Sequence, residues 1–146
     1  MCWWAISQKD MQIKTADTPI KVFKVCCRNH YNKQRVFSYY MDFNYKEGET
    51  YKLPMYTGTR FDIQMWHRYD GFHSYSQDVN ITFYRDEYLA VRDQNMQFID
   101  YLQLKQNLVI AECTIPKGAH YYMNQRGEIV SDQIKIESFS DVHSIN

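Results

Sequence analysis

The sequence is poor in the residues that punctuate or cross-link a chain: its 146 residues include three prolines, five glycines and four cysteines. The cysteines, at positions 2, 26, 27 and 113, form no Cys-x-x-Cys pair, so no zinc site is expected. The few glycines form no phosphate-binding loop. We therefore expect no metal site, and we predict free, buried thiols in a reducing cytoplasm.

Long hydrophobic runs are also missing. No apolar stretch approaches the roughly 20 residues that cross a membrane. Residues 1–9 lack the basic start and the long apolar core of a secretory signal. The sequence therefore predicts a cytoplasmic protein with no membrane partner.

Charge of one sign is absent as well, because 17 Lys and Arg residues balance 17 Asp and Glu residues. A face for duplex nucleic acid is not expected, since neutralisation of phosphates dominates such binding. A single nucleotide needs only one or two basic residues and stays open as a ligand. What the sequence has in excess is aromatic residues, 16% with 13 Tyr and 8 Phe. Tyrosine-rich chains either build β-rich cores or line stacking sites.

The length is that of one domain, and we predict a globular unit over residues 1–138 with a loose tail at 139–146. The one long helical pattern lies in Phe83 to Gln106. The predicted fold class is therefore α+β: a β-rich single domain with a central sheet and one or two helices. The predicted strands are Ile20 to Arg28, Arg35 to Phe43, Thr50 to Leu53, Phe61 to His67, Phe72 to Tyr75, Leu108 to Ile115, His120 to Met123, Glu128 to Ser131 and Gln133 to Glu137.

Two short segments carry the most specific pattern. Gly71-Phe72-His73-Ser74-Tyr75-Ser76 reads as a strand end, and Glu112-Cys113-Thr114-Ile115-Pro116-Lys117-Gly118 reads as a buried strand stopped by a turn. Their order resembles the second and third signature elements of the Arg-Ser-Glu class of mono-ADP-ribosyltransferases. In that family a Phe-x-Ser-Thr-Ser strand supports the nicotinamide nucleotide, and a catalytic Glu opens a Glu-Val-Leu-Leu-Pro-x-Gly strand. The resemblance implies an ADP-ribosyltransferase-like fold and a ligand related to NAD or ADP-ribose.

The resemblance places Glu112 at the catalytic position and Ser74 and Ser76 on the nucleotide-supporting strand. Lys24 stands where the family has an arginine, and it keeps the charge but lacks the planar, bidentate fork. Ile110 stands where the arginine-modifying members carry Glu or Gln, which argues against modification of an arginine. Cleavage of the nicotinamide bond builds an oxocarbenium-like sugar, which a carboxylate such as Glu112 can stabilise.

The candidate ligand residues surround this motif, and they form phosphate, ribose and base contacts in the hypothesis. Lys24 and Arg68 are expected to meet phosphates, His73 and Ser74 the ribose, and Trp66 or Tyr75 the base, with Ser76 and Tyr121 completing the set. Each has a structural alternative: Glu112 as an exposed strand residue paired with a lysine, His73 as a half-buried residue, Trp66 packed on a loop, Arg68 solvated, and Tyr121 structural in a hairpin. In the hypothesis, the strand at Phe72 to Ser76 lies beside the strand of Glu112, their polar side chains converge, and Phe72 and Cys113 lie in the core.

A second resemblance is broader. The runs Gly-Phe-His-Ser-Tyr, Ala-Glu-Cys-Thr-Ile-Pro-Lys-Gly-Ala-His-Tyr-Tyr and Gly-Glu-Ile-Val-Ser-Asp-Gln-Ile-Lys-Ile look like small uncharacterised proteins of phages and prophages of gut bacteria. This resemblance implies a phage product in the host bacterial cytoplasm. Small phage accessory proteins often counter host defence, and some defences signal with NAD-derived or cyclic nucleotides.

The expected function is therefore capture of such a nucleotide, with no cofactor required. One alternative is an active mono-ADP-ribosyltransferase or NAD-hydrolysing enzyme with Glu112 as its carboxylate. Another is a protein-binding or virion-associated module that uses the tyrosine-rich surface. A homo-oligomer is left open.

Overall fold

The structure is a computed structural model, and it describes residues 3–4, 8–29, 31–38, 43–56, 64–65, 71–80 and 108–141. Within these ranges the chain forms twelve strands and one short 3-10 helix, Gln8–Met11. The strands are β1 (Trp3–Trp4), β2 (Lys14–Thr15), β3 (Ile20–Arg28), β4 (Val36–Ser38), β5 (Phe43–Tyr45), β6 (Thr50–Lys52), β7 (Gln64–Met65), β8 (Phe72–Ser76), β9 (Leu108–Ile115), β10 (His120–Met123), β11 (Glu128–Ser131) and β12 (Gln133–Asp141).

Ten of these strands form one antiparallel sheet in the order β2-β10-β11-β8-β3-β9-β12-β6, with β4 paired to β3 and β5 paired to β4. The remaining two, β1 and β7, pair with each other. The prediction of an α+β, ADP-ribosyltransferase-like fold is wrong for the described residues, which are almost all strand and turn. The connections at 116–119, 124–127 and 132 are too short to hold a helix, so the chain returns by antiparallel hairpins and corners instead. The predicted helical stretch, Phe83 to Gln106, lies outside the described residues.

The sheet curls on itself, and the position of Asp132 shows this. Asp132 alone links β11 to β12, although β8, β3 and β9 lie between those strands. Strands are spaced about 4.8 Å apart, so four steps across a flat sheet would be about 19 Å. One linking residue spans only about 7 Å between its neighbours. The two halves of the sheet therefore bend towards each other, which places Asp132 at a corner.

The main core lies on one face of this sheet, here called the core face. On β3 and β9 it carries Val22, Cys26, Ala111 and Cys113, each at most 1% exposed. Phe72 is fully buried in the same cluster. The expected burial of Phe72 and Cys113 is confirmed, because alternation along a strand sends every second side chain to the same side.

The opposite side of the sheet, here called the second face, is also partly covered. Its residues on β3 and β9 include Lys21, Phe23 and Glu112. Near β10 and β11, Met11 of the 3-10 helix packs against Tyr122 and Val130 in a smaller cluster. A sheet covered on both faces has continuous apolar strands, as the run Leu108–Ile110 shows.

Several predicted strand limits are confirmed, namely those of β3, β9, β10 and β11. The last strand is longer than predicted. β12 continues to Asp141 and pairs with β9 as far as Asp141 opposite Val109, with an irregularity between Ile136 and Ser138. Residues 139–141, which we assigned to the tail, therefore belong to the sheet. This irregularity interrupts the alternation of inward and outward side chains along β12. The sequence pattern therefore did not show that the strand continues to Asp141.

Candidate ligand-binding site

Strand alternation divides the predicted ligand residues between the two faces of the sheet. On β8, Ser76 lies opposite Val22 of the core face, and Tyr75 lies opposite Phe23 of the second face. Side chains of directly opposed residues share a face. Lys24, Ser74 and Ser76 are therefore on the core face, and His73 and Tyr75 are on the second face. Trp66 and Arg68 lie outside the described residues.

Glu112 lies on the second face but on a strand that is not adjacent to β8. Phe23 pairs with Tyr75 on one side and with Glu112 on the other, so β3 separates the two motif strands. The expectation that β8 and β9 are neighbours is wrong. β3 and β9 leave no cleft between them for a ligand either, because they are hydrogen-bonded neighbours over eight residue pairs.

Lys24 is enclosed by the core. It is 5% exposed, and its Nζ donates a hydrogen bond to the main-chain carbonyl of His73 at 2.5 Å. The same nitrogen lies 5.8 Å from the centre of the Tyr45 ring. Desolvation lowers the pKa of Lys24, and the neighbouring Cys26 and Cys113 partly oppose that shift. A phosphate cannot reach this nitrogen without opening the core, so Lys24 does not serve the predicted contact.

His73 is held as a neutral ring. Burial, followed by the positive charge of Lys24, lowers its pKa to about 3. Its Nδ1 is buried and finds no hydrogen-bond partner among the described residues, and the same is true of Ser74 Oγ on the other face. Because its Nδ1 is buried, this nitrogen is not open to the ribose hydroxyl of the hypothesis.

Glu112 adopts the arrangement of its structural alternative. Its carboxylate lies 3.4 Å from Lys21 Nζ and accepts a 3.4 Å hydrogen bond from Ser138 Oγ. Both charged side chains are substantially exposed, 62% for Lys21 and 41% for Glu112. Tyr75 is buried, and Tyr121 packs half-buried against the main core. The described members of the predicted set therefore do not converge on one ligand.

A different group of residues surrounds a cavity of about 640 Å³ at the corner of the sheet. We call it the His120 cavity. One part of its lining is apolar, and the other part carries polar groups that can form hydrogen bonds or ion pairs with a ligand. The apolar lining is Ile13, Leu53, Pro54 and Met55, and the polar lining is Lys52, His120, Asp132 and Gln133. Small-molecule sites typically hold roughly 300–1,000 Å³ and combine an apolar wall with a few polar groups.

The sheet corner fixes the polar side of this cavity. Asp132 binds His120 twice, because its Oδ1 accepts from the His120 main-chain nitrogen at 2.9 Å and its Oδ2 lies 3.0 Å from Nδ1. Main-chain bonds from Asp132 to His120 and from Leu53 to Asp132, both 3.0 Å, hold the same corner. With Nδ1 directed at the carboxylate, Nε2 is the ring nitrogen that remains for a ligand. Lys52 stands opposite Gln133 in the β6–β12 pairing and adds an exposed ammonium group.

Sequence reasoning missed this site because its residues come from four separate segments. His120 directly follows the Pro-Lys-Gly turn, and Asp132 is the single residue between two strands. The one signal in the sequence was Asp132, a polar residue that alone links two strands. Such a short link marks a corner where side chains from different strands meet. Nothing local connects Lys52 with His120.

Within the described residues, no cluster of three or more His, Cys, Asp or Glu side chains has the arrangement of a metal site. Cys26, Cys27 and Cys113 are buried thiols, as expected, and none of the three is part of a disulfide. No helix in the described part of the chain has the length and apolarity needed to cross a membrane. In the comparisons with known proteins, no family model, no curated protein and no solved structure matches this chain.

Proposed function

We propose that the protein is a binding protein that captures a nucleotide related to NAD or ADP-ribose, or a cyclic nucleotide signal, in the His120 cavity. The observation that carries the proposal is the combination, in one cavity of about 640 Å³, of an apolar wall with Lys52 and the Asp132-oriented His120 ring. The expected nucleotide class is retained from the sequence, and its site is moved from the Ser-x-Ser strand to the corner of the sheet.

The two sides of the cavity suit the two ends of a nucleotide. A base or ribose can pack on Leu53, Pro54 and Met55, where burial of apolar surface contributes about 25 cal/mol per Å². Lys52 offers a point charge to a phosphate. His120 Nε2 accepts from a ribose hydroxyl when the ring is neutral and donates to a phosphate oxygen when it is protonated. No step of bond cleavage is required for capture.

The phage resemblance supplies the setting. A protein of this kind in the host cytoplasm would lower the free concentration of a defence signal by binding it. Because each molecule holds one ligand per site, the effect depends on affinity and on protein concentration and needs no turnover.

Isothermal titration calorimetry tests the proposal with NAD, ADP-ribose, cyclic ADP-ribose isomers and cyclic dinucleotides. We expect one of these ligands to bind, and the variants Lys52→Gln and His120→Gln to weaken it about tenfold or more, which corresponds to at least about 1.4 kcal/mol. The matched control is Glu112→Gln, which removes a charge from the motif strand away from the cavity and should bind as the wild type does.

The opposite results are equally clear. The proposal is wrong if no ligand of the panel gives heat or a thermal shift. It is also wrong if binding survives both cavity substitutions, and loss of binding in Glu112→Gln would return the site to the motif strand. Mass spectrometry of the ligand recovered after denaturation separates capture from catalysis, because a captured ligand comes back intact.

A further inference from the structure

Positive charge is concentrated at the connection between β3 and β4. From residue 18 to residue 41 the sequence has five Lys or Arg residues and no Asp or Glu. Two of the five are engaged elsewhere, since Lys24 is in the core and Lys21 pairs with Glu112. The other three, Arg28, Lys33 and Arg35, stand at or beside the turn to which residue 29 and residues 31–34 belong.

This turn is fixed by hydrogen bonds of its own. Asn29 Oδ1 accepts from the main-chain nitrogens of Tyr31 and Asn32 at 2.9 and 3.0 Å. The main chain closes through Asn29 to Arg35 at 2.7 Å and Arg35 to Asn32 at 3.0 Å. Tyr31 stands on this stiff turn with 95% of its surface exposed. A large side chain presented by an ordered turn loses little entropy on binding, and tyrosine is enriched among the residues that dominate protein interfaces.

A cleft of about 500 Å³ adjoins the turn and is built around Arg28. The guanidinium donates to Asp141 Oδ1 and to the Lys33 carbonyl, both at 3.1 Å, and it lies 5.9 Å from the centre of the Phe139 ring. Among the described residues these bonds use two of its five N–H donors. The group is therefore oriented in advance and keeps donors for a further carboxylate.

The acidic groups of the cleft already have protein partners. Asp141 pairs with Arg28, and Glu47 accepts the main-chain N–H of Phe139 at 3.3 Å. Lys33 and Lys46 stand exposed at its margin. Among the described lining residues, Arg28, Lys33 and Lys46 carry three positive charges and Asp141 and Glu47 carry two negative ones, so the net charge of this lining is positive and favours an anionic group from outside.

We propose that this hairpin–cleft surface, formed by residue 29, residues 31–34 and the Arg28 cleft, docks an acidic segment of another protein. An Asp or Glu side chain of the partner enters the cleft towards Arg28, and Tyr31 packs against the partner's surface. Single-stranded nucleic acid is the less suitable occupant, because it needs a basic groove with successive stacking rings, whereas this patch presents one exposed ring and a few cations.

This surface is separate from the His120 cavity. The cavity adjoins Gln133 at the start of β12, and the cleft adjoins Asp141 at its end. The eight residue steps from Gln133 to Asp141, at about 3.3 Å each, separate the two places by about 26 Å along the strand. The inference therefore stands or falls independently of the proposed nucleotide site.

The test selects a displayed library of random dodecapeptides on the intact wild-type protein, followed by fluorescence anisotropy of the enriched peptides. We expect enrichment in Asp and Glu, weaker binding at higher salt, and a loss of affinity of about tenfold or more in Tyr31→Ala and in the double variant Lys33→Glu, Lys46→Glu. Tyr31→Phe should retain most of the affinity, and His120→Gln should retain all of it.

Several outcomes would overturn the inference. No enrichment, enrichment without acidic residues, or equal binding of acidic peptides to wild type and Tyr31→Ala would each do so. Tighter binding of a twelve-nucleotide oligothymidine than of any acidic peptide, lost in the same variants, would assign the surface to single-stranded nucleic acid instead. Because Tyr31, Lys33 and Lys46 are exposed, their substitution leaves the fold intact and each result can be interpreted.

Discussion

The Lys24 ammonium nitrogen donates to the His73 carbonyl oxygen at 2.5 Å, while the side chains of these two residues lie on opposite faces of the sheet. The bond crosses from β3 to β8 beside the regular ladder. The Lys24 ammonium group therefore lies inside the core, and the His73 ring lies buried on the second face of the sheet. Both groups are predicted by burial to prefer their neutral forms, and this gives the protein a measurable pH dependence at each end of the scale.

The first prediction concerns Lys24 at alkaline pH. Its folded-state pKa is lowered from 10.5, so between that lowered value and 10.5 the unfolded state binds more protons than the folded state. Lys24 therefore increases the free energy of unfolding as pH rises towards 10.5, which means that the folded state becomes more stable. Lys24→Met has no such proton. The free energy of unfolding of Lys24→Met, minus that of the wild type, should therefore be greatest at the lower pH and should decline as pH approaches 10.5.

Urea unfolding of both proteins from neutral pH to 10.5 measures this difference. Both proteins carry Cys26→Ala, because the pKa of Cys26 is raised to about 11 mainly by burial, is lowered in part by Lys24, and would otherwise add an opposing pH dependence that differs between the two. Lys21→Met is the matched control, because Lys21 is an exposed lysine on the same strand. A Lys24→Met difference that stays constant with pH would show that Lys24 is charged in the folded protein.

The second prediction concerns His73 at acid pH. Its pKa falls from 6.5 to about 3 on folding, so the unfolded state takes up this proton first as pH decreases. Stability due to the neutral ring is present above 6.5 and is lost progressively between 6.5 and about 3. His73→Gln should show a shallower loss of stability across that window in urea unfolding, and His120→Gln serves as the variant that removes an exposed imidazole. Equal acid slopes for wild type and His73→Gln would contradict the burial of the ring.

The strands were predictable from the sequence where both ends carry local signals. Ile20–Arg28 and Leu108–Ile115 carry apolar residues on both faces and end at turns, and the structure has both with the predicted limits. The arrangement of the strands was not predictable, because it depends on contacts between distant segments. β11 and β12 are consecutive in the chain, yet three strands separate them in the sheet.

The ligand residues predicted from the sequence do not come together for the same reason. A motif such as Phe72 to Ser76 gives the spacing of residues along a strand, and alternation then sends Ser74 and His73 to opposite faces. Whether two motif strands become neighbours is decided by the strand inserted between them, here β3. Burial of single residues, by contrast, follows from the local pattern, which is why Phe72 and Cys113 were predicted to be in the core and are found there.

The third prediction compares two fully buried serines, Ser74 and Ser131. Ser131 Oγ donates to the Gln133 carbonyl at 3.0 Å, whereas Ser74 Oγ has no hydrogen-bond partner among the described residues. Removing a satisfied hydroxyl costs about 0.5–1.5 kcal/mol, and removing an unsatisfied one relieves a penalty. We expect Ser131→Ala to destabilise by about 1 kcal/mol and Ser74→Ala to be neutral or stabilising in the same urea titration. Equal destabilisation by both would indicate that Ser74 has a partner.

The last prediction compares two glycines with positive φ, Gly71 at +81° and Gly118 at +90°. A Cβ at Gly118 would meet nothing within 4 Å, so Gly118→Ala should cost only the backbone strain, about 1–2 kcal/mol. A Cβ at Gly71 would lie 2.6 Å from the Ser131 carbonyl oxygen and 2.9 Å from Met55 Cβ. Because a main-chain oxygen cannot move away cheaply, Gly71→Ala should lower the unfolding free energy clearly more than Gly118→Ala does.

Met55 lines the His120 cavity, so any folded Gly71→Ala protein should also bind the cavity's ligand more weakly, while Gly118→Ala binds it normally. Thermal unfolding and calorimetry of the two variants measure both effects, and equal stability of the two proteins would show that the backbone at Gly71 has more room than the structure gives it.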